Sequence, residues 1–202
     1  APESPPPRPS PEPRSGHPAA VAARSGCFVQ ADAFQGVYVS TRFKYYDVRG
    51  STPEELTRQI DQLGPFNKWL GRNSIGKADC RILSPYKFIR NLLGECRLSS
   101  FGVNVDVAIT LPRWDQQGPP DLRARWSRAM RSVQSHEESH RAIAFRAANE
   151  VYRALHDLPP GPCGEFESSL KAMLEKRYDQ AERDQVEFDK AVYRNPDCRP
   201  GL

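Results

Sequence analysis

The sequence predicts an α+β fold, in which a small antiparallel β-sheet and one short helix pack on a long antiparallel helical hairpin. Two observations support this class. Residues 37–111 are rich in β-branched and aromatic side chains that partly alternate with polar ones, whereas residues 119–193 repeat apolar side chains at helical spacing. A short proline-rich break at residues 159–162 divides the helical part in two, and so short a connection makes two long helices antiparallel neighbours.

The β part of the chain divides into a first strand, a short helix and a meander. Residues 37–48 are predicted to form one strand or a bent pair of strands. Residues 52–55 have the pattern of a capping box, so a short helix is expected to run to about Leu63. Residues 66–111 then predict an antiparallel meander, in which the segment 96–111 alternates most clearly.

The helical part is predicted to contain two long helices. A Pro-Pro-Asp sequence at residues 119–121 suits the first turn of the first helix, which is expected to run to about Leu158. The second helix is expected from about Glu165 to Tyr193. Because each helix carries an apolar stripe, we expect the two to pack on each other and on the sheet.

The first 24 residues are predicted to lie outside the folded domain. Seven of the 19 prolines fall within residues 1–13, which lack large apolar side chains to bury. We therefore interpret residues 1–24 as a disordered Pro-rich linker and residues 25–202 as a single domain. An alanine followed by this segment is typical of a chain from which a signal peptide or an anchor has been removed.

The charge distribution and the length of the apolar runs argue against nucleic-acid binding and against a transmembrane segment. The net charge is +4, but the Lys and Arg residues are interspersed with Asp and Glu and form no basic stripe with aromatic residues. No apolar run is long enough to span a bilayer. The sequence therefore favours neither nucleic-acid binding nor a transmembrane segment, and it leaves the oligomeric state open.

The cysteines indicate an oxidising compartment. None of the five belongs to a C-x-x-C pair, so neither a thiolate zinc site nor a redox motif is expected. Wide spacing favours structural disulfides, with two bridges and one free thiol as the natural count and the pairing left open. The alternative is a set of buried free thiols in a cytosolic protein. The five are Cys27, Cys80, Cys96, Cys163 and Cys198.

The motif His-Glu-Glu-Ser-His at residues 136–140 lies within the first predicted long helix. At about 100° per residue, His136 and His140 lie roughly 40° apart, on the side that carries the apolar stripe. Two imidazoles one turn apart can bind one tetrahedral Zn²⁺, and Glu137 beside them can act as general base toward a zinc-bound water. The alternative is a pair of core histidines hydrogen-bonded to carboxylates of the second helix.

A third metal ligand is expected on the second helix. His156 is excluded because it lies about 24 Å along the helix from His140 and on another side. An antiparallel hairpin places residues 182–186 opposite the motif, give or take a turn. With Phe188 at the centre of the apolar face, helix phase favours Asp184, although each carboxylate is alternatively part of a solvated face. The carboxylates in reach are Glu182, Asp184, Glu187 and Asp189.

Short segments outside the motif carry a family resemblance. They are Y-Y-D-V-R-G at residues 45–50, L-P-R-W at residues 111–114, Cys96, Cys163 and the late pair Phe188-Asp189. Together with H-E-E-S-H they resemble the bacterial secreted proteins grouped as domain of unknown function 922, which are described as predicted secreted zinc-dependent proteases. The resemblance covers about residues 36–194.

The resemblance implies roles for individual residues. It implies that His136 and His140 are zinc ligands and that Glu137 is the catalytic base. Its late aromatic-Asp pair makes Asp189 a third ligand or a group that orients a ligand. Because the phase of a long bent helix drifts, we prefer Asp189 to Asp184 as the third ligand.

The sequence thus predicts a secreted or periplasmic zinc metallopeptidase of zincin type, acting on a peptide or protein substrate, with the cell envelope as one source of substrate. The strand at residues 103–111 is expected to hold an extended peptide by β-addition. One alternative is a non-catalytic module that binds a cell-envelope partner, with a degenerate or structural zinc site. It is favoured by the short sheet, by the open choice of third ligand and by the lack of an obvious second lobe to form a cleft. Val192 and Arg194 stand where the family pattern has Thr and His, which would weaken zinc binding or activity if that His is a ligand in relatives. Another is a different zinc hydrolase, such as an amidase acting on cell-wall peptides.

Overall fold

The computed structural model describes residues 36–115 and 117–195. The predicted linker, residues 1–24, and the first residues assigned to the domain, 25–35, lie outside them. The main elements are β1 (Val37–Val48), α1 (Pro53–Leu63), β2 (Phe66–Asn67), β3 (Arg72–Asn73), β4 (Lys77–Leu83), β5 (Tyr86–Arg90), β6 (Glu95–Phe101), β7 (Val103–Trp114), α2 (Pro120–His156), β8 (Gly161–Pro162) and α3 (Cys163–Arg194).

The main sheet is mixed, with strand order β1-β7-β4. Strand β7 lies in the centre and pairs antiparallel with β4, as expected for the predicted sheet. It pairs parallel with β1, from Val37 opposite Val103 to Val48 opposite Trp114, so the prediction of an all-antiparallel sheet is wrong here. The chain between β1 and β7 contains α1 and five strands, and a connection of that length allows the two strands to run in the same direction.

The alternating segment predicted as a single unit is divided at Gly102 into β6 and β7, which belong to different sheets. Strand β6 pairs antiparallel with β5 and with the two-residue strand β8. Apolar residues continue to alternate with other residues across Gly102. The sequence pattern therefore gives no sign that the chain passes from one sheet to another at this residue. The antiparallel pairing of β5 with β6 agrees with the meander predicted for residues 66–111.

The short helix α1 begins and ends where the sequence predicts. The Thr52 side chain accepts a hydrogen bond from the Glu55 backbone N–H at 3.2 Å, and the Glu55 carboxylate accepts one from the Ser51 N–H at 2.8 Å. Leu56 and Ile60 on its inner face are buried with Trp114 at the end of β7. The helix therefore closes one end of the main sheet.

The two long helices form the predicted antiparallel hairpin. His136 of α2 contacts Asp189 near the end of α3, whereas Glu150 contacts Arg177 nearer its beginning. One face of α2 packs on β7, whose alternating residues Val103, Val105, Val107 and Ile109 have no exposed surface. The same core continues to α3 through Phe166, Leu170 and Leu174.

One disulfide, between Cys96 and Cys163, lies within the described residues and joins β6 to the first residue of α3. Cys80 on β4 is a half-buried free thiol. Cys27 and Cys198 lie outside the described residues, so the predicted count of two bridges stays a prediction. A search of the described helices finds none with the length and apolar character needed to cross a membrane.

Candidate metal centre

Helix α2 presents the two histidines and the first glutamate of the motif on its buried face. His136, Glu137 and His140 keep only 7 %, 4 % and 8 % of their surface exposed. Glu138, the second glutamate, is exposed and accepts a hydrogen bond from Gln134. Since ionisable side chains are rarely buried without a partner, three of them on one helical turn indicate a polar cluster inside the protein.

Asp189 of α3 completes this cluster. Its Oδ1 atom lies 3.1 Å from His136 Nε2 and 3.0 Å from His140 Nε2. The two Nε2 atoms are 3.2 Å apart. Three potential ligand atoms from two helices therefore form a nearly equilateral triangle.

The triangle fits a tetrahedral metal ion. Ligand atoms bound at 2.0–2.1 Å in tetrahedral geometry are separated by about 3.3 Å, close to the three separations in the cluster. Two imidazoles and one carboxylate are also a donor set that Zn²⁺ accepts. His136, His140 and Asp189 therefore form a site that could bind a metal ion, and the geometry by itself does not identify the metal.

Gln185 holds the ring of His140 in the orientation that a metal ligand requires. Its Nε2 donates to the His140 backbone carbonyl at 2.9 Å, which turns its Oε1 toward His140 Nδ1 at 2.5 Å. Because that oxygen can only accept, Nδ1 carries a hydrogen and donates it. A histidine fixed in this way by a hydrogen bond from its second nitrogen presents Nε2 to a metal.

The ring of His136 is held by stacking instead. It lies 5.0 Å from the Phe188 ring, centroid to centroid, with 24° between their planes. The Phe188 ring also meets the His140 ring edge-on at 5.1 Å. His136 Nδ1 is buried and has no hydrogen-bond partner among the described residues, so the two histidines differ in what orients them.

Two pKa shifts describe the electrostatics of the triangle. Burial raises the pKa of Asp189, but hydrogen bonds from His136 and His140 outweigh it and lower that pKa to about 2. Burial opposes the charged form of His140, but the hydrogen bond and charge of Asp189, with the charge of Glu137, hold its pKa above the ordinary value. The cluster therefore favours a positive charge between the three atoms, carried by a proton or by a metal ion.

Glu137 occupies a narrow space between α2 and β4. A methyl group added at Gly76 would lie 2.8 Å from Glu137 Oε1, so only glycine leaves room for the carboxylate. Desolvation raises the pKa of Glu137, while the two histidines and a hydrogen bond from the backbone of Ala78 lower it by smaller amounts. A carboxylate with a raised pKa is a stronger base than an exposed one.

The cluster opens into a cleft of about 740 Å³ between α2, α3 and β4. Residues Ser74 to Ile82 form one wall, and Trp69 and Tyr193, whose rings are 5.6 Å apart, lie at its margin. β4 is the strand at this edge of the sheet, whereas β7 is paired on both sides. The expectation that residues 103–111 hold a peptide by β-addition is therefore wrong, because β7 has no free edge.

The structure separates the four carboxylates considered for the third ligand. Asp184 is exposed and accepts a hydrogen bond from Gln180, and Glu187 forms an exposed salt bridge with Lys190. Glu182 is exposed at the margin of the cleft. Only Asp189, among these four, reaches the histidines. His156 pairs with Asp157 in solvent, away from the cluster, as helix geometry predicts.

Helix phase favours Asp184 only if Phe188 is the centre of the inner face of α3. Phe188 lies instead at one edge of that face. Gln185 lies at its centre, and Asp189 lies at the opposite edge. Gln185 was not identified from the sequence. Its position one turn before Asp189 on the same face is the signal that could have identified it. The wall formed by β4 was also not predicted.

The fold and the site define a class: a mixed α/β protein in which a helical hairpin carries a His-His-Asp cluster beside a buried glutamate. The family model described as bacterial protein of unknown function (DUF922) matches residues 43–193, so the chain belongs to this family. The resemblance inferred from the sequence is thereby confirmed, and the family description assigns no activity. No curated protein matches the chain, and no solved structure does so either.

Proposed function

We propose that this chain is a zinc-dependent peptide hydrolase of zincin type. The observation that carries the proposal is the triangle of His136 Nε2, His140 Nε2 and Asp189 Oδ1, with no side longer than 3.2 Å, beside the buried Glu137. Catalytic zinc sites have three protein ligands, whereas structural sites are closed by four, and His136, His140 and Asp189 would hold the ion with three ligands at the edge of a cleft. When bound, zinc would supply a Lewis acid and lower the pKa of a coordinated water.

In this proposal Glu137 moves the proton. It accepts a proton from the attacking water and delivers it to the amine nitrogen that leaves when the peptide bond breaks. Its confinement beside Gly76 and the hydrogen bond from Ala78 hold the carboxylate in one place. Burial keeps competing water away and makes the carboxylate more basic, so position and basicity both suit this role.

Strand β4 is the proposed binding site for the substrate backbone. It has an unpaired edge among the described strands and lines the cleft that contains the histidines. An extended peptide added to that edge gains main-chain hydrogen bonds that do not depend on its sequence. We infer that substrate is a peptide or protein segment in extended form.

The proposed compartment is extracellular or periplasmic. The disulfide between Cys96 and Cys163 is the supporting observation, because disulfides of this kind persist in oxidising compartments and are rare in the cytosol. A peptide hydrolase in that location would meet proteins and peptides of the cell envelope.

The test is a comparison of two neighbouring glutamates in the full chain. Metal content and hydrolysis of an unstructured protein substrate are measured for the wild type, for Glu137→Gln and for Glu138→Gln. Glu138 is exposed on the same helical turn and is the matched control. We expect one equivalent of zinc in all three proteins, with hydrolysis reduced at least about 100-fold in Glu137→Gln only.

Two results would contradict the proposal. A wild-type protein that takes up no stoichiometric zinc, even when zinc is supplied, has no metal centre of this kind. If zinc binds but hydrolysis is absent or insensitive to Glu137→Gln, the site is structural, and the alternative of a non-catalytic cell-envelope module is favoured.

A further inference from the structure

The hairpin of β5 and β6 exposes two leucines at its tip, away from the histidine cluster. Leu92 is fully exposed, and Leu93 keeps 86 % of its surface exposed. Ile89, at the end of β5, is 47 % exposed. Scattered apolar residues on a surface are normal, but adjacent leucines at the tip of a hairpin form a protruding apolar point.

The backbone of this turn is held in place by hydrogen bonds. The Asn91 side-chain oxygen accepts from the backbone N–H groups of Leu93 at 3.0 Å and Glu95 at 2.9 Å. The Asn91 Nδ2 donates to the Glu95 carboxylate at 2.9 Å, and Gly94 adopts a φ of 85° that favours glycine. These hydrogen bonds fix the backbone of the turn in a conformation that exposes both leucine side chains to solvent.

The hairpin is also fixed to the body of the protein. The disulfide between Cys96 and Cys163 joins β6 to α3, and the backbone N–H of Cys163 donates to the Gly94 carbonyl at 3.3 Å. Phe88 lies 6.0 Å from Phe166 of α3, ring centroid to centroid. Because these contacts fix the hairpin to α3, the tip is already ordered before it binds a partner. Binding through it therefore costs little conformational entropy.

Cations surround the base of this tip. Lys87, Arg90 and Arg97 are all exposed, and the carboxylate of Glu95 is turned to Asn91. Arg97 is the register partner of Ile89, so the two side chains share the outer face of the hairpin. Among the described residues none of the three cations forms a salt bridge, which leaves their charges available.

We propose that the β5–β6 tip docks the protein on an anionic phospholipid surface, with Leu92 and Leu93 inserted among the lipids and the three cations bound to lipid phosphates. Two apolar side chains at the tip and three cations at its base match the two layers of a membrane interface. The leucines would reach the acyl chains while the cations lie at the level of the anionic headgroups. The tip is only two residues wide. A stable protein interface needs about 800 Å² on each partner, so the tip alone is too small for a second copy of this chain.

The test measures binding of the full chain to lipid vesicles by co-sedimentation. One vesicle is phosphatidylcholine alone, and the other is an equal mixture of phosphatidylcholine and phosphatidylglycerol. We expect binding to the anionic vesicles only. Leu92→Ser with Leu93→Ser should weaken binding more than about tenfold, since two buried leucines are removed, and Arg97→Gln should weaken it about fivefold.

Matched variants remove the same groups elsewhere. Leu63→Ser removes a leucine that is 53 % exposed at the end of α1, and Arg128→Gln removes an exposed cation from α2. Both should bind as the wild type does. The proposal is overturned if the wild type binds neither vesicle, or if the double serine variant binds unchanged. It is equally overturned if sedimentation equilibrium shows self-association that depends on Leu92 and Leu93 while vesicles are not bound.

Discussion

The helical hairpin of α2 and α3 has two halves of opposite chemistry. The half near the connecting loop, called here the apolar half, consists of Val151, Leu155, Phe166, Leu170 and Leu174, all buried together. The other half, called the polar half, consists of His136, His140, Gln185 and Asp189. The same pair of helices therefore buries hydrocarbon at one end and ionisable groups at the other.

The difference between the halves indicates that the apolar half stabilises the fold and that the polar half carries the groups available for chemistry. Burying apolar surface stabilises the fold, whereas burying charged groups costs free energy unless they are paired. The apolar half and the nearby disulfide therefore fix the register that brings Asp189 opposite His136 and His140. Substitutions in the apolar half should change the free energy of unfolding, and substitutions in the polar half should change metal affinity.

Removal of the disulfide is expected to have the largest effect on stability. The bond closes a loop with a sequence separation of 67, so Cys96→Ser with Cys163→Ser should lower the free energy of unfolding by about 4 kcal/mol. Urea denaturation measures this change. Zinc affinity of the folded variant should stay within about threefold of the wild type, and a larger loss would show that the disulfide also shapes the site.

Leu170→Ala tests the apolar half directly. Leu170 has no exposed surface, so its truncation should lower the free energy of unfolding by about 3 kcal/mol. The control is Lys171→Ala, which removes only an exposed salt bridge with Glu167 and should cost less than about 0.5 kcal/mol. Equal effects of the two substitutions on urea denaturation would contradict the assignment of stability to this half.

Gly76→Ala should affect the polar half through packing. The added methyl group would lie 2.7 Å from Val133 Cγ1 and 2.8 Å from Glu137 Oε1, so Glu137 must move. We expect a loss of about 1 to 3 kcal/mol of stability and a lower kcat with zinc retained. Gly164→Ala, where no atom lies within 4 Å of the added carbon, is the control. Unchanged kcat in Gly76→Ala would show that the carboxylate position is not critical.

Gln185→Ala should have the smallest effect on folding. It removes the hydrogen bond that orients His140, and such a partner is worth about tenfold in zinc affinity. Gln180→Ala removes an amide from the exposed side of the same helix and should leave affinity unchanged. Isothermal titration with zinc compares the two variants, and identical affinities would show that Gln185 does not orient the ligand.

The helices could be predicted from the sequence because their signals are local. Capping residues, prolines and apolar spacing identified α1, and they identified α2 and α3 to within two residues at each end. The parallel pairing of β1 with β7 joins residues 66 positions apart, and no local pattern encodes which strands become neighbours. The division at Gly102 was missed for the same reason.

The candidate site was predictable in part. His136, Glu137 and His140 belong to one motif on one helix, so spacing alone places them together. The choice between Asp184 and Asp189 depends on how α3 is rotated against α2. That rotation is set by side chains all along the interface, and a phase error of less than half a turn changes the residue that faces the histidines.

Zinc binding by Asp189→Ala and Asp184→Ala tests the central claim most directly. The claim is that Asp189 completes the metal site with His136 and His140. Isothermal titration of the metal-free full chain should give one zinc per chain for the wild type and for Asp184→Ala. In Asp189→Ala, affinity should fall more than about 100-fold, because a direct ligand should matter more than an orienting group. Equal affinity in the two variants, or a loss confined to Asp184→Ala, would contradict the claim.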